Sequence, residues 1–214
     1  MRARPRGLLI DWGGVLTQPP GNTVEAWAND EGIDYGHYQQ LIASWLDRPP
    51  ARQPSPVQAL ERGEMEVPEF ERLLARRLRR IDHGSVQSGG LLTRMFSYFV
   101  LVPEMVAMVA QLKATGVRTG LLSNSWGNTY PRAGWDDLFD VVVISGEVGM
   151  RKPDQEIFVY ASDQLAVPLT ECVFVDDLSP NVEAAQSLGM TAILHRSYAD
   201  TRDELQRLFG ITFA

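Results

Sequence analysis

Cysteine is almost missing from this chain: Cys172 stands alone among 214 residues, which excludes an internal disulfide and a cysteine-based zinc cluster. Long apolar runs are missing too. The run after the basic start Met1-Arg2-Ala3-Arg4-Pro5-Arg6 lasts only from Leu8 to Ile10, too short for the hydrophobic region of a signal peptide, and no stretch is long enough to span a bilayer. Positive charge is in deficit. With 20 basic against 27 acidic side chains the net charge is −7, which argues against nucleic acid or an anionic membrane as partner. A small anionic substrate then needs local positive charge or a metal ion to bind. What remains points to a soluble cytoplasmic protein, 44% hydrophobic and so able to build a proper core, with room for one domain or one domain carrying a smaller inserted one.

What is present begins with Leu8-Leu9-Ile10-Asp11-Trp12-Gly13-Gly14-Val15-Leu16-Thr17, a short apolar strand that ends on a carboxylate and breaks into two glycines. Asp11 therefore stands at a strand's C-terminal tip, where open α/β sheets bind ligands, and the glycines let the backbone turn sharply beside it. No convincing strand follows until about Ser97. Thr23 to Glu31, His37 to Leu46 and Val57 to Arg62 read as short helices, and the proline-rich segment Asp47 to Pro56 reads as a loop. A further helix is amphipathic through Phe70, Leu73, Leu74, Leu78 and Ile81, with Arg72, Arg76, Arg77, Arg79 and Arg80 as a solvated face.

From Pro103 the texture alternates. Helices at Pro103 to Ala114, Asp136 to Phe139, Asp154 to Leu165 and Pro180 to Leu188 separate strands at Val117 to Leu122, Val141 to Ile144, Cys172 to Val175 and Thr191 to Leu194. The expected fold is α/β, a Rossmann-like doubly wound parallel sheet with an inserted all-helical cap. Residues 1–17 and 98–214 form the α/β core in this reading, and residues 18–97 form the cap.

Parallel strands point the same way, so their tips gather along one edge. Asp11 follows the first strand, Ser123 the second and Asp176-Asp177 the fourth, while Lys152 lies in the loop after the third. Crowded carboxylates raise one another's pKa unless positive charge sits among them. Lysine and a divalent ion would neutralise three carboxylates, and all-oxygen ligands select a hard cation such as Mg²⁺. Such a site suits phosphoryl transfer. Asp-Leu-Ser-Pro before a helix is also a good N-terminal signal, so one aspartate of the pair has a capping role open to it.

Four segments, Asp11-Trp12-Gly13-Gly14-Val15-Leu16-Thr17, Leu121-Leu122-Ser123-Asn124, Gly149-Met150-Arg151-Lys152-Pro153-Asp154 and Phe174-Val175-Asp176-Asp177, resemble in order and spacing the signature motifs of the haloacid dehalogenase-like hydrolases. The stretch Asp176 to Val182 is especially similar to the group that includes the phosphatase domain of soluble epoxide hydrolases. The resemblance implies a Mg²⁺-dependent phosphatase of a small phosphorylated metabolite, with Asp11 as nucleophile forming an aspartyl-phosphate. It implies that Ser123, Asn124, Lys152 and the Gly13-Gly14 backbone bind the phosphoryl group. Asp11, the Gly13 carbonyl, Asp176 and Asp177 would surround the metal, Asp177 directly and Asp176 behind it, with those two roles open to exchange. Asn181 would orient Asp177.

Gly13 departs from the pattern. Most phosphatases of this family carry there a second aspartate that protonates the leaving oxygen, and a positioned general acid is worth roughly 10²–10⁴ in rate. Its absence counts against a phosphomutase and leaves three outcomes open: a slow phosphatase best with good leaving groups, a proton supplied by a cap residue such as His37 or Glu25, or lost catalysis. The alternatives are a dehalogenase, against which the Asp176-Asp177 pair counts, and a metabolite-binding or partner-binding protein. His83 and His195 have no spacing that builds a metal site. Trp27 and Trp45 are expected in the cap's core, and the cap helices offer a surface for a homodimer.

Overall fold

A computed structural model describes residues 4–46, 55–127 and 129–213. Most of the proline-rich loop, residues 47–54, lies outside that range. Strand β1 (Gly7–Ile10) is followed by five helices: α1 (Pro20–Asp30), α2 (Tyr35–Leu46), α3 (Pro56–Glu61), α4 (Val67–Arg77) and α5 (Leu91–Phe96). After α6 (Pro103–Ala114) the alternation begins, with β2 (Arg118–Ser123), α7 (Trp135–Leu138), β3 (Val141–Ile144), α8 (Ser145–Val148) and α9 (Gln155–Leu165). Strand β4 (Cys172–Asp176), α10 (Ser179–Ser187), β5 (Thr191–Leu194) and α11 (Tyr198–Phe209) complete it.

The five strands form one parallel sheet in the order β3-β2-β1-β4-β5. Its two faces separate by the two-residue period of a strand. Leu8, Ile10, Leu121, Val173 and Val175 pack with Met105, Met108 and Val109 of α6 and Leu205 and Phe209 of α11. Leu9, Leu122, Val143 and Phe174 face the other way, onto Ile157, Phe158 and Ala161 of α9 and Ala185 of α10. Fully burying an apolar side chain of this kind contributes about 1.5–3 kcal/mol, so a one-residue register slip would exchange both layers and is strongly disfavoured.

The helices between β1 and α6 bury a core of their own around Trp27, Ile33, Trp45, Val57, Phe70, Leu74 and Leu91. Both tryptophans are interior packing, as expected. The chain leaves the sheet and returns to it side by side: Thr17 bridges Leu101 in antiparallel fashion, Gln18 N–H donates to the Val100 carbonyl (2.8 Å) and Val102 N–H to the Leu16 carbonyl (2.8 Å).

Four elements depart from expectation. Helix α4 stops at Arg77, and Ile81, expected on its apolar face, is 69% exposed beyond the helix end. Leu78 turns to an extended backbone there, and Arg80 bonds Asp82 and the Glu31 carbonyl instead of continuing the helix. Helices α5, α8 and α11 have no counterpart among the expected elements. The start of α5 is held by Glu71, a buried carboxylate of α4 that accepts from the N–H groups of Gly90 (3.1 Å) and Leu92 (2.9 Å). Among the described residues no helix is long and apolar enough to cross a membrane.

Candidate active site

The strand order reverses between β1 and β4, and a crevice outside the strand ends at such a switch point is where open α/β sheets bind ligands. Ile10 pairs with Val175, and Asp11 N–H donates to the Val175 carbonyl (2.9 Å), so Asp11 and Asp176 leave adjacent strands side by side. One oxygen from each of Asp11, Asp176 and Asp177 falls within 4.8 Å of the others.

Lys152 supplies the counter-charge. Its Nζ lies 2.9 Å from Asp11 Oδ1 and 2.6 Å from Asp176 Oδ2, and the side chain is 1% exposed. Burial works against the ammonium charge, yet the two carboxylates hold the lysine above its ordinary pKa. The carboxylates divide the work unequally. Asp176 is fully committed: Oδ1 accepts from Leu178 N–H and Asn181 Nδ2, and Oδ2 from Lys152 and Asn181. Asp11 Oδ1 takes Lys152 and the Trp12 N–H (2.8 Å), which leaves Oδ2 without a protein partner among the described residues. Burial, with Asp176 and Asp177 nearby, pushes the Asp11 carboxyl up to about 7 despite Lys152. Burial and Asp176 push Asp177 up to about 6.

Asn181 corrects an expectation. It bonds both oxygens of Asp176 and does not orient Asp177, because α10 begins at Ser179 and turns the Asn181 amide back under β4. The Asp177 carboxylate instead reaches over Gly14, where φ is +72° and a Cβ would run into Oδ2. Gly14 is thus required twice, for its left-handed backbone and for this approach. A Cβ at Gly13 would meet nothing within 4 Å.

Ser123 ends β2, buried, its Oγ 2.9 Å from the Tyr130 hydroxyl. The Asn124 side chain clamps the lysine's backbone, accepting from Lys152 N–H (2.8 Å) and donating to the Lys152 carbonyl (2.9 Å). That fixes where the Lys152 side chain starts. The helical insert is tied to the loops around it. Glu61 of α3, buried, accepts from Arg151 Nε (2.6 Å) and Trp126 Nε1 (3.1 Å), and Arg62 pairs with Asp154 (2.6 Å). Tyr130, Glu61 and Trp126 were not singled out from sequence; no motif spacing marks them, since the loop after β2 brings in Tyr130 and Trp126 and the last residue of α3 is Glu61. Neither Glu25 nor His37 bonds Asp11, Ser123, Lys152, Asp176 or Asp177 among the described residues; Glu25 is exposed, and only the backbone N–H of His37 is bonded to Asp34, its imidazole Nδ1 being buried without a partner among the described residues.

A family model described as haloacid dehalogenase-like hydrolase matches residues 5–189. The chain belongs to the haloacid dehalogenase-like hydrolases. Within that family it is 31% identical over 117 residues to bifunctional epoxide hydrolase 2 of Rattus norvegicus, covering 51% of this chain and 21% of that protein. It is 33% identical over 112 residues to sesquiterpene phosphatase astK of Aspergillus oryzae, covering 50% of this chain and 57% of that protein. The chain spans little more than half, at most, of the length of the curated relatives it matches. A haloacid dehalogenase-like enzyme of Bacteroides thetaiotaomicron, solved with magnesium and inorganic phosphate, shares the fold with a TM-score of 0.66 at 22% identity, over 90% of this chain and 94% of that one.

The donor set of this haloacid dehalogenase-like site fits a hard divalent cation: all ligand atoms are oxygens and negative charge exceeds the one lysine. The raised carboxyls of Asp11 and Asp177 give a thermal signature. Their folded pKa values lie above the ordinary carboxylate value, so the folded chain binds extra protons between about pH 4 and 7 and loses stability as pH rises through that window. A divalent cation held by these carboxylates would compete with those protons. Scanning calorimetry is expected to show a Mg²⁺-induced rise in Tm that is larger at pH 8 than at pH 5; an equal rise at both would mean that the ion binds elsewhere.

Proposed function

We propose that this hydrolase is a phosphatase that removes phosphate from a small phosphorylated metabolite through an aspartyl-phosphate on Asp11. The observation that supports it best is the free Asp11 Oδ2 beside a carboxylate whose other oxygen is locked by Lys152 and the Trp12 N–H. An oxygen nucleophile must present a lone pair in a fixed direction, and locking Oδ1 does that. In the first step Asp11 Oδ2 bonds to phosphorus while the phosphorus–ester oxygen bond breaks, the oxygen leaving with the electron pair and taking a proton from solvent water. In the second, water attacks phosphorus, gives its proton up to solvent, and the phosphorus–Oδ2 bond breaks to release phosphate and the Asp11 carboxylate. Lys152 neutralises charge on the phosphoryl oxygens, and Ser123 with the backbone amide of Asn124 holds them. Asp11, Asp177 and the Gly13 carbonyl would hold Mg²⁺, with Asp176 as the anchored residue behind them. The ion, when bound, supplies positive charge to the phosphoryl oxygens. The insert of residues 18–97 acts as a cap that excludes water and selects the substrate.

Gly13 supplies no acid, so rates should depend steeply on the leaving group. Purified protein is expected to hydrolyse p-nitrophenyl phosphate in a Mg²⁺-dependent manner and alkyl phosphates far more slowly. Gly13→Asp has open space for its Cβ and should narrow that gap by roughly 10²-fold, the usual weight of a general acid. Absence of turnover from a folded protein that binds Mg²⁺ would favour a phosphate-binding protein instead.

A further inference from the structure

We propose that Tyr130 is a positioning residue for phosphoryl binding: its hydroxyl donates to Ser123 Oγ and so turns the serine's single proton toward the substrate. This rests on the phosphatase reading and goes beyond it, because nothing in the four motifs includes position 130.

A serine hydroxyl carries one proton and two lone pairs. Ser123 Oγ has two neighbours that matter, the Tyr130 hydroxyl at 2.9 Å and the Asn124 carbonyl at 3.5 Å. Tyr130 Oη also lies 3.4 Å from that carbonyl. Two proton arrangements are therefore available. In one, serine donates to tyrosine and tyrosine makes the long bond to the carbonyl. In the other, tyrosine donates to serine at 2.9 Å and the serine proton is held only by the Asn124 carbonyl at 3.5 Å, a contact a substrate oxygen easily displaces. An anionic oxygen near Ser123 selects the second arrangement, because the short bond is kept and a strong charge-assisted bond is added in place of a 3.4 Å contact. Donation by tyrosine also polarises the serine O–H, which strengthens the bond it gives.

The tyrosine is built to act as a donor. Its ring stands edge-on to Trp12, with centroids 5.1 Å apart, and tilts against Trp135 at 5.6 Å. Those contacts fix the hydroxyl's position from both sides, one of them through the residue that follows Asp11. Burial, with Asp11 nearby, holds the phenol above its ordinary pKa, so it keeps its proton throughout the working range. Phenylalanine would keep the ring packing and remove only the hydroxyl.

The test is a double-mutant cycle on kcat/KM for p-nitrophenyl phosphate and on the inhibition constant of inorganic phosphate, with Tyr130→Phe, Ser123→Ala and the pair. Tyr130→Phe is expected to lower kcat/KM by roughly 10-fold and to weaken phosphate by a similar factor, the weight of a hydrogen bond to a charged group. In the Ser123→Ala background the same change should cost almost nothing, which a merely structural tyrosine would not show. Unchanged kinetics in Tyr130→Phe, or losses that multiply in the pair, would overturn the proposal. If wild-type protein shows no turnover, the phosphatase reading fails first; calorimetric titration with inorganic phosphate then carries the same cycle, and an absence of coupling, or of phosphate binding itself, overturns the role of Tyr130.

Discussion

Asp11→Asn should abolish turnover of p-nitrophenyl phosphate, by about 10⁴-fold or more, while the protein stays folded. The amide is close to the carboxylate in size but cannot attack phosphorus, and loss of a covalent nucleophile ordinarily costs rates of this order. Stability should move the other way. In the metal-free protein Asp11 is a reluctant anion, held up at about 7 by burial and by Asp176 and Asp177. A neutral amide removes that repulsion and leaves Lys152 paired with Asp176 at 2.6 Å. The variant is therefore expected to melt at least as high as the parent at pH 8 without metal. Residual activity near the parent's level would sink Asp11 as nucleophile, and an unfolded variant would show that the carboxylate has a structural part the geometry does not reveal.

Lys152→Met should lose both activity and stability. Among the described residues the ammonium is the one cation in contact with Asp11 and Asp176, and it is 1% exposed, so water cannot replace it. Removing one partner from a buried ion pair costs about 3–5 kcal/mol, a large part of a typical total stability of about 5–15 kcal/mol. The sign of the pH effect follows from linkage. With the lysine gone the carboxyl pKa of Asp11 rises further, so the folded state binds more protons than the unfolded one, and stability falls more steeply as pH rises. Urea unfolding should show a large deficit at pH 8 that shrinks toward pH 5. A deficit independent of pH would assign the loss to packing against Phe174, whose ring centroid lies 5.6 Å from the Nζ, and not to charge.

The sheet was legible in the chain because each strand, even the half-buried edges β3 and β5, is a short apolar run between turn residues and carries its signal locally. Val141 to Ile144 and Thr191 to Leu194 needed only their own composition and flanking turns, and the structure has strands with those same bounds. The rim of carboxylates and lysine was legible for a topological reason: strand tips of a parallel sheet must share an edge. Elements whose cause lies far away in sequence were not legible. Helix α5 depends on Glu71 for its N-terminal amides, and α4 ends where Arg80 finds Glu31 and Asp82 rather than at any helix-stop residue. The division of labour between Asp176 and Asp177 was hidden for the same reason. The contacts of Lys152, Leu178 N–H and Asn181 with Asp176, and the approach of Asp177 to Gly14, distinguish two adjacent identical residues.

The paired crossing at Thr17 and Leu101 has an evolutionary reading. Because the departing and returning segments are joined to each other by hydrogen bonds, the sheet meets the whole intervening block as it would meet the two ends of a hairpin. Its strand register is set by β1 and α6 whatever lies between. Loop-closure entropy grows only with the logarithm of length, so lengthening or replacing that block changes the cost of closing the loop by a fraction of the stability of the fold. Selection can therefore rework the block while the strand tips stay where they are, and on the phosphatase reading that would change the molecules admitted without moving the chemistry.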